Sequence, residues 1–337
     1  MKDFKNYSLK EHNTFGIDAK CSRFLEYEDS MEAIEVAKIL RESELPYIII
    51  GGGSNLLLTK DFDGIVVRSG IRGYQFEKDD SSCRMTCGSG EVWDDMVAKS
   101  IEAGYYGMEN LSLIPGDVGA SAVQNIGAYG VEAKDLILCV QMIDIATGKS
   151  CAVSNGDCEY GYRQSRFKKD WRNRFLITEV TYALTDTFEP HLDYGNIRAE
   201  LEKKGISEPT AQQLRDTIID IRNAKLPDPK VTGNAGSFFM NPIVTRKKYE
   251  ELAALFPDMP HYSVDSLHEK IPAGWMIDQC GWKGKTLGRA GVHDKQALVL
   301  VNRGGATGME IVALCEAIQK DVKAKFDIDI HPEVNII

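Results

Sequence analysis

Five short polar segments of this chain have the residue types for ligand chemistry. They are residues 51–55 (GGGSN), 114–130 (IPGDVGASAVQNIGAYG), 160–165 (YGYRQS), 233–242 (GNAGSFFMNP) and 331–337 (HPEVNII). A β-branched run, YIII, enters the first, and a strand ending in three glycines makes a nest of backbone N–H groups suited to a pyrophosphate. It is not a dinucleotide-binding G-x-G-x-x-G turn, because no helix opens after it; NLLLT reads as turn and strand. In the second segment Gly116, Gly119, Gly127 and Gly130 alternate with Ser121, Gln124 and Asn125. A plain connection needs few such permissive positions, so the pair of segments points to a large phosphate-bearing cofactor.

Three side chains could act on a bound substrate. Arg163 offers a planar fork that binds a carboxylate with two parallel hydrogen bonds and stays charged at any working pH; Arg166 is the competing choice. Ser237, close to Gly233 and Gly236, caps a turn or, in a dry site beside a strongly basic centre, donates a proton. Glu333 lies four residues from the end, where chains fray. Its neighbours Pro332, Val334, Ile336 and Ile337 make a packed tail the better expectation.

The elements that must position these groups alternate helix and strand. Helices are expected over 30–41 with Ser30 as N-cap, 91–103, 210–223, 273–280 and 309–325. The last carries Ile311, Leu314, Cys315, Ile318 and Val322 on one stripe. Strands are expected over 47–50, 64–68, 136–145, 174–184 and 297–301. Prolines in KLPDPK (225–230) break the chain, and the main boundary is set near residue 209. The expected domains are 1–70, 71–208 and 209–337, with the tail returning to the active site.

Composition bounds the rest. The chain has 337 residues, 43% hydrophobic and 27% charged, ordinary for a globular enzyme of more than one domain. A net charge of −10 argues against nonspecific nucleic-acid binding, and no apolar run nears a membrane span or the core of a signal peptide. The eight cysteines form no C-x-x-C pair and the histidines no H-x-x-H spacing, so reduced thiols in the cytoplasm and no metal site are expected. Cys83 and Cys87, four apart in an alternating run, would share one face of a strand.

Taken together, the five segments resemble the UDP-N-acetylenolpyruvoylglucosamine reductase (MurB) family, from NTFGIDAKC near residue 13 to the last residue. The resemblance implies an α+β fold: a two-subdomain FAD-binding unit of the vanillyl-alcohol-oxidase (PCMH) type, then an α+β substrate domain. It implies noncovalent FAD held by Gly51, Gly52, Gly53, Ser54, Asn55, Pro115, Gly116, Gly119, Ala120, Ser121, Gln124, Asn125, Gly127, Ala128 and Tyr129. NADPH is the implied co-substrate and a UDP-sugar enolpyruvyl ether the substrate. Within it, Arg163 rather than Arg166 takes the substrate carboxylate, Ser237 gives the proton, and Glu333 partners Arg163 or the enol intermediate. Tyr194, Lys225, Asn241 and Gln296 take the nucleotide diphosphate, with Tyr194 on a covering loop. A monomer without nucleic-acid or membrane partners is the expectation. Met240 departs from the family, which commonly has lysine after FF, and so removes one phosphate contact. A flavin oxidase of the same cofactor fold and a nonenzymatic sugar-nucleotide sensor remain the alternatives.

Overall fold

The computed structural model describes residues 1–79 and 82–337, which form two compact units. The first comprises Met1–Tyr7, Cys21–Gly52 and Asp63–Ala224; the second comprises Ser8–Lys20, Gly53–Phe62 and Lys225–Ile337.

Unit 1 is built on two sheets. One takes the strands in the order Lys2–Ser8, Lys20–Tyr27, Phe62–Ser69 and Tyr47–Ile50, the last two parallel, with Ile50 opposite Arg68. Helix Ser30–Glu42 covers it with Ala33, Val36, Ala37 and Leu40, the i, i+3, i+4, i+7 spacing of one helical face. Its N-cap is Asp29, not Ser30: the Asp29 carboxylate accepts the Glu32 N–H at 2.8 Å, and Ser30 is already helical. The second sheet is antiparallel, in the order Ser150–Ser154, Ile137–Asp144, Phe175–Thr185, Ser82–Gly88 and Tyr74–Asp79. Cys83, Met85 and Cys87 share its buried face, as their alternation implies, and pack with helices Trp93–Glu102 and Val118–Gln124.

A third core joins Leu192, Ile197 and Leu201 to Leu214, Ile218 and Ile221 of helix Ala211–Lys225. Burying that stripe keeps the helix with unit 1, so the units divide one helix later than residue 209. The N-terminal pieces Ser8–Lys20 and Gly53–Phe62 also fall outside the division expected.

Unit 2 holds a sheet of Asn234–Ser237, Val299–Asn302, Ala290–Val292 and Thr286–Leu287. Helix Gly308–Phe326 packs on it, with the five expected stripe residues all buried. A Thr307–Glu310 capping box starts that helix and satisfies two orphan N–H groups. The tail strand Asn335–Ile336 runs parallel to Leu56–Leu57, directly after the glycine turn.

Asp29→Ala should cost about 1 kcal/mol, the usual worth of an N-cap side chain. Urea midpoints of Asp29→Ala and Ser30→Ala check this; an equal loss in both would mean that Asp29 is not the cap.

Candidate functional site

In unit 1 the two glycine segments meet. Strand Tyr47–Ile50 delivers Gly51 and Gly52 against the start of helix Val118–Gln124. A Cβ at Gly51 would lie 3.0 Å from the Ala120 Cβ, and one at Gly52 would lie 3.1 Å from Asp117 Oδ1 and 3.4 Å from the Gly116 Cα. Side chains are thus excluded where two backbone turns converge, which is the shape a diphosphate cradle needs. The helix was not anticipated; its glycine- and serine-rich composition reads as a loop, and only Asp117, its N-cap, marks its start.

Asp117 itself was missed. It is buried beside both glycines, and Arg68 reaches its Oδ2 at 3.3 Å while also pairing with Glu26. Burial pushes its carboxyl above the usual value, against the pull of Arg68.

Of the other expected cofactor residues, Ser121 turns its hydroxyl into the core, 2.8 Å from the Tyr182 hydroxyl, and donates to the Val118 carbonyl. The Asn125 amide donates to the Gly161 carbonyl at 2.8 Å and to Glu132, and accepts from the Lys134 N–H. Both side chains hold the segment's shape, which leaves main chain as what these two residues offer outward. Gly119 packs on Ser89, and its N–H donates to the Ser89 carbonyl. Pro115 is exposed, Gln124 half-buried, and Gly127–Ala128 pairs with Val131–Glu132 across a two-residue turn. That turn, Tyr129 (φ 49°) and Gly130 (φ 84°), has left-handed backbone at both positions, a type I′ hairpin.

Arg163 sits on a second tight turn, closed by reciprocal Gly161 and Gln164 main-chain bonds of 3.0 Å, with φ 55°. Its guanidinium donates to the Gly127 carbonyl at 2.7 Å. A Cβ at Gly127 would stand 3.0 Å from Nη1, so a larger residue there would press on the guanidinium. Arg166, by contrast, pairs with Asp170 and stacks over Trp171 at 4.1 Å. Tyr194 is 44% exposed in the loop before helix Ile197–Lys203.

Unit 2 brings Ser237 and Glu333 onto adjacent backbone. Ser237 ends its strand, exposed and opposite Val299. The next residue, Phe238, accepts the Glu333 N–H at 2.8 Å, and Met240 donates to His331 at 2.9 Å. The tail therefore runs as an antiparallel neighbour of 238–240, with Phe239 opposite Pro332. Gly53, Ser54 and Asn55 belong to this unit, and Asn335 donates twice to the Asn55 carbonyl at 3.1 Å. Asn241 and Gln296 converge on the start of helix Ala273–Gln279. The Asn241 Oδ1 accepts the Ala273 N–H at 2.9 Å, and Gln296 Oε1 borders Gly274. Lys225 is exposed at the end of its helix.

Two profiles of known families match the chain: the FAD binding domain over residues 22–154, and the C-terminal domain of UDP-N-acetylenolpyruvoylglucosamine reductase over 228–337. A reductase of that name from Bacteroides fragilis (strain YCH46) is 53% identical over 335 residues, 99% of each chain. This chain belongs to the UDP-N-acetylenolpyruvoylglucosamine reductase family. The reductase of Flavobacterium johnsoniae is 46% identical over 341 residues, the whole of both chains. A crystal structure of the Thermus caldophilus reductase shares the fold, with TM-score 0.69 and 21% identity over 99% of this chain and 98% of that one. The α+β class and the FAD-binding architecture follow.

Sequence reading also missed Glu109, Asn110 and Arg222. Glu109 is buried; its Oε2 accepts the Gly107 N–H at 2.9 Å and its Oε1 has no protein partner among the described residues. Burial raises its pKa. Burial likewise lowers that of Arg222, against Tyr129, to which it hydrogen-bonds. No periodicity or motif marks these positions.

The folded state holds the Glu109 proton more tightly than the unfolded chain does. Its stabilising contribution is therefore fully present below the unfolded value and declines as pH rises through the folded one. Melting of wild type and Glu109→Gln at pH 4 and pH 7 checks the sign. The variant should fare better relative to wild type at pH 7 than at pH 4; a pH-independent difference would exclude the ionised carboxylate as the cause.

Proposed function

We propose that Arg163, Ser237 and Glu333 carry the reduction of UDP-N-acetylglucosamine enolpyruvate to UDP-N-acetylmuramate in this chain. The chain is an FAD-containing oxidoreductase of peptidoglycan precursor synthesis, and NADPH as co-substrate is consistent with its family. FAD, when bound, would supply the hydride chemistry between NADPH and the alkene.

The residues present suit that cofactor. Gly51, Gly52, Gly116 and Ala120 form the close backbone approach described above, with Gly53, Ser54 and Asn55 continuing the turn. Pro115, Gly119, Ser121, Gln124, Asn125, Gly127, Ala128 and Tyr129 complete the cradle in this reading. In this reading the two sheets of unit 1 are the two cofactor subdomains, and Lys225–Ile337 is the body of the substrate domain.

Arg163 binds the substrate carboxylate and draws electron density from the C=C bond, so that one alkene carbon accepts hydride. The other carbon then needs a proton. The Ser237 hydroxyl supplies it, breaking its O–H bond as the new C–H bond forms, and solvent later restores the serine. An aliphatic hydroxyl is a weak acid, so this works only beside a strongly basic carbon with water excluded. In this reading Glu333 is the partner of Arg163 or of the enol intermediate. The single observation that carries the assignment is the 2.8 Å bond from the Glu333 N–H to Phe238, which registers the tail against the residue after Ser237.

Asn241 and Gln296 each use the side-chain carbonyl internally. Their NH₂ ends are left as donors to the diphosphate, with Lys225 as the cation and Tyr194 as the cover. The reading includes a cytoplasmic monomer acting on small molecules, without nucleic-acid or membrane partners.

Ser237→Ala should bleach with NADPH at near the wild-type rate. With the enolpyruvyl sugar nucleotide its colour should return roughly 10²–10⁴-fold more slowly, the usual worth of a general acid. Anaerobic stopped-flow absorbance separates the two half-reactions; equal slowing of both would make Ser237 a structural residue. Arg163→Lys keeps the charge but loses the fork, and turnover should fall strongly. Arg166→Lys, altering a surface pair with Asp170, should stay near wild type. Similar steady-state losses in both variants would remove the distinction between the two arginines.

A further inference from the structure

The Tyr194 loop is held by a residue that neither touches a proposed ligand nor belongs to any motif. Asn110 is buried, and its single NH₂ group donates both hydrogens: one to the Tyr129 carbonyl and one to the His191 carbonyl, each at 2.9 Å. The first carbonyl belongs to the type I′ turn at the cofactor segment, the second to the loop that carries Tyr194. The two segments also interlock. A Cβ at Gly130 would lie 3.5 Å from the Tyr194 Cβ, and one at Gly195 would lie 3.8 Å from the Tyr129 ring. Each Tyr-Gly pair thus lays its tyrosine over the other's glycine, and both glycines have the left-handed backbone that other residues rarely adopt. Leu192 and Phe188 anchor the loop from the other side, on the core that also receives Tyr129.

We propose that Asn110 is a positioning residue that sets where Tyr194 stands for the sugar nucleotide, by tying the Tyr129–Gly130 turn to the loop over residues 186–196. The proposal rests on the reading of Tyr194 as a substrate residue. The chemistry favours asparagine at this point. An amide nitrogen has two donors in one plane and can satisfy two converging carbonyls, whereas aspartate would present oxygens to both. Alanine would leave two carbonyls short of a donor in a half-buried place, and the loop would gain the freedom that the bonds remove. The amide meets both segments only through their carbonyls, so disturbing it loosens the loop while leaving Ser237, the Arg163 side chain and the Gly51–Gly52 approach in place.

The test uses the yellow holoenzyme. Amide hydrogen exchange over residues 186–196 should quicken in Asn110→Ala and Asn110→Asp, with strand Phe175–Thr185 unchanged. KM for the enolpyruvyl sugar nucleotide should rise about tenfold, the order expected for one lost buried hydrogen bond, with kcat within about twofold. In a Tyr194→Ala background, Asn110→Ala should add less than a twofold further rise, since it acts through Tyr194. Gly195→Ala, strained by its left-handed backbone, should loosen the same loop from the exposed side should the Asn110 variants not fold. Unchanged exchange in the loop, or KM effects that multiply in the double variant, would overturn the proposal. Tyr194→Ala with wild-type KM would instead remove the substrate reading of Tyr194 and leave the exchange result to decide whether Asn110 holds the loop.

Discussion

The main-chain pairing of the C-terminal tail is the interaction on which unit 2 depends. Residues 331–337 donate to and accept from two separate stretches: Phe238 and Met240 on one side, and Asn55, Leu57 and Thr59 on the other. A chain end has no covalent reason to stay ordered, and fixing each residue costs about 1–2 kcal/mol of conformational entropy. Several hydrogen bonds at about 1 kcal/mol net apiece offset only part of that. Burial of Val334, and of Ile328 and Ile330 just before the tail, adds apolar stabilisation to those bonds. The same strap sets the register of Glu333 and closes on the strand that leaves the glycine turn. The backbone at residue 333 is therefore fixed by the pairing of the tail with Phe238.

Arg163 is placed by a different constraint. A non-glycine residue with left-handed backbone costs about 1 kcal/mol, and the turn keeps it through paired Gly161 and Gln164 bonds and a Lys168 ammonium on the Arg163 carbonyl. The strain sits at a residue proposed for chemistry, where the surrounding structure over-determines it. The guanidinium meets the carbonyls of Gly127 and Asn125, two residues of the cofactor segment. The residue proposed for the substrate carboxylate and the segment proposed for the cofactor are thus tied together within unit 1.

Much of the fold was legible because long amphipathic helices and β-branched runs obey a period. Helix Gly308–Phe326 carries its whole expected stripe, and strand Tyr47–Ile50 matches its expected limits. Helix Ser30–Glu42 was found, but its buried face is Ala33, Val36, Ala37 and Leu40, with Ile34 and Ile39 only partly covered. The Val118–Gln124 helix was hidden because Gly119 and Ser121 favour turns and caps, while tertiary bonds, among them those of its first N–H groups to the Glu91 and Ser89 carbonyls, hold it. Chain connectivity hid the rest. Nothing local tells that residues 8–20 and 53–62 leave their neighbours in sequence to fold with the C-terminal half.

The candidate site was read from side chains that reach outward, and the structure separates these from polar groups turned inward. Ser121, Asn125, Ser165 and Asn234 all lie in the segments singled out, yet each satisfies a core or turn partner: Tyr182, Gly161, Val123 and Pro227. An unsatisfied buried polar atom costs about 1–3 kcal/mol. A segment that must expose its backbone to a ligand cannot also rely on regular ladders, so these side chains replace the missing backbone partners. Dense serine, asparagine and glycine therefore mark such a site for two reasons at once. The glycines clear space for the ligand, and the amides and hydroxyls hold the irregular turns that the clearing requires. Asn110 serves that second purpose from outside the motif, tying down two such turns with one amide.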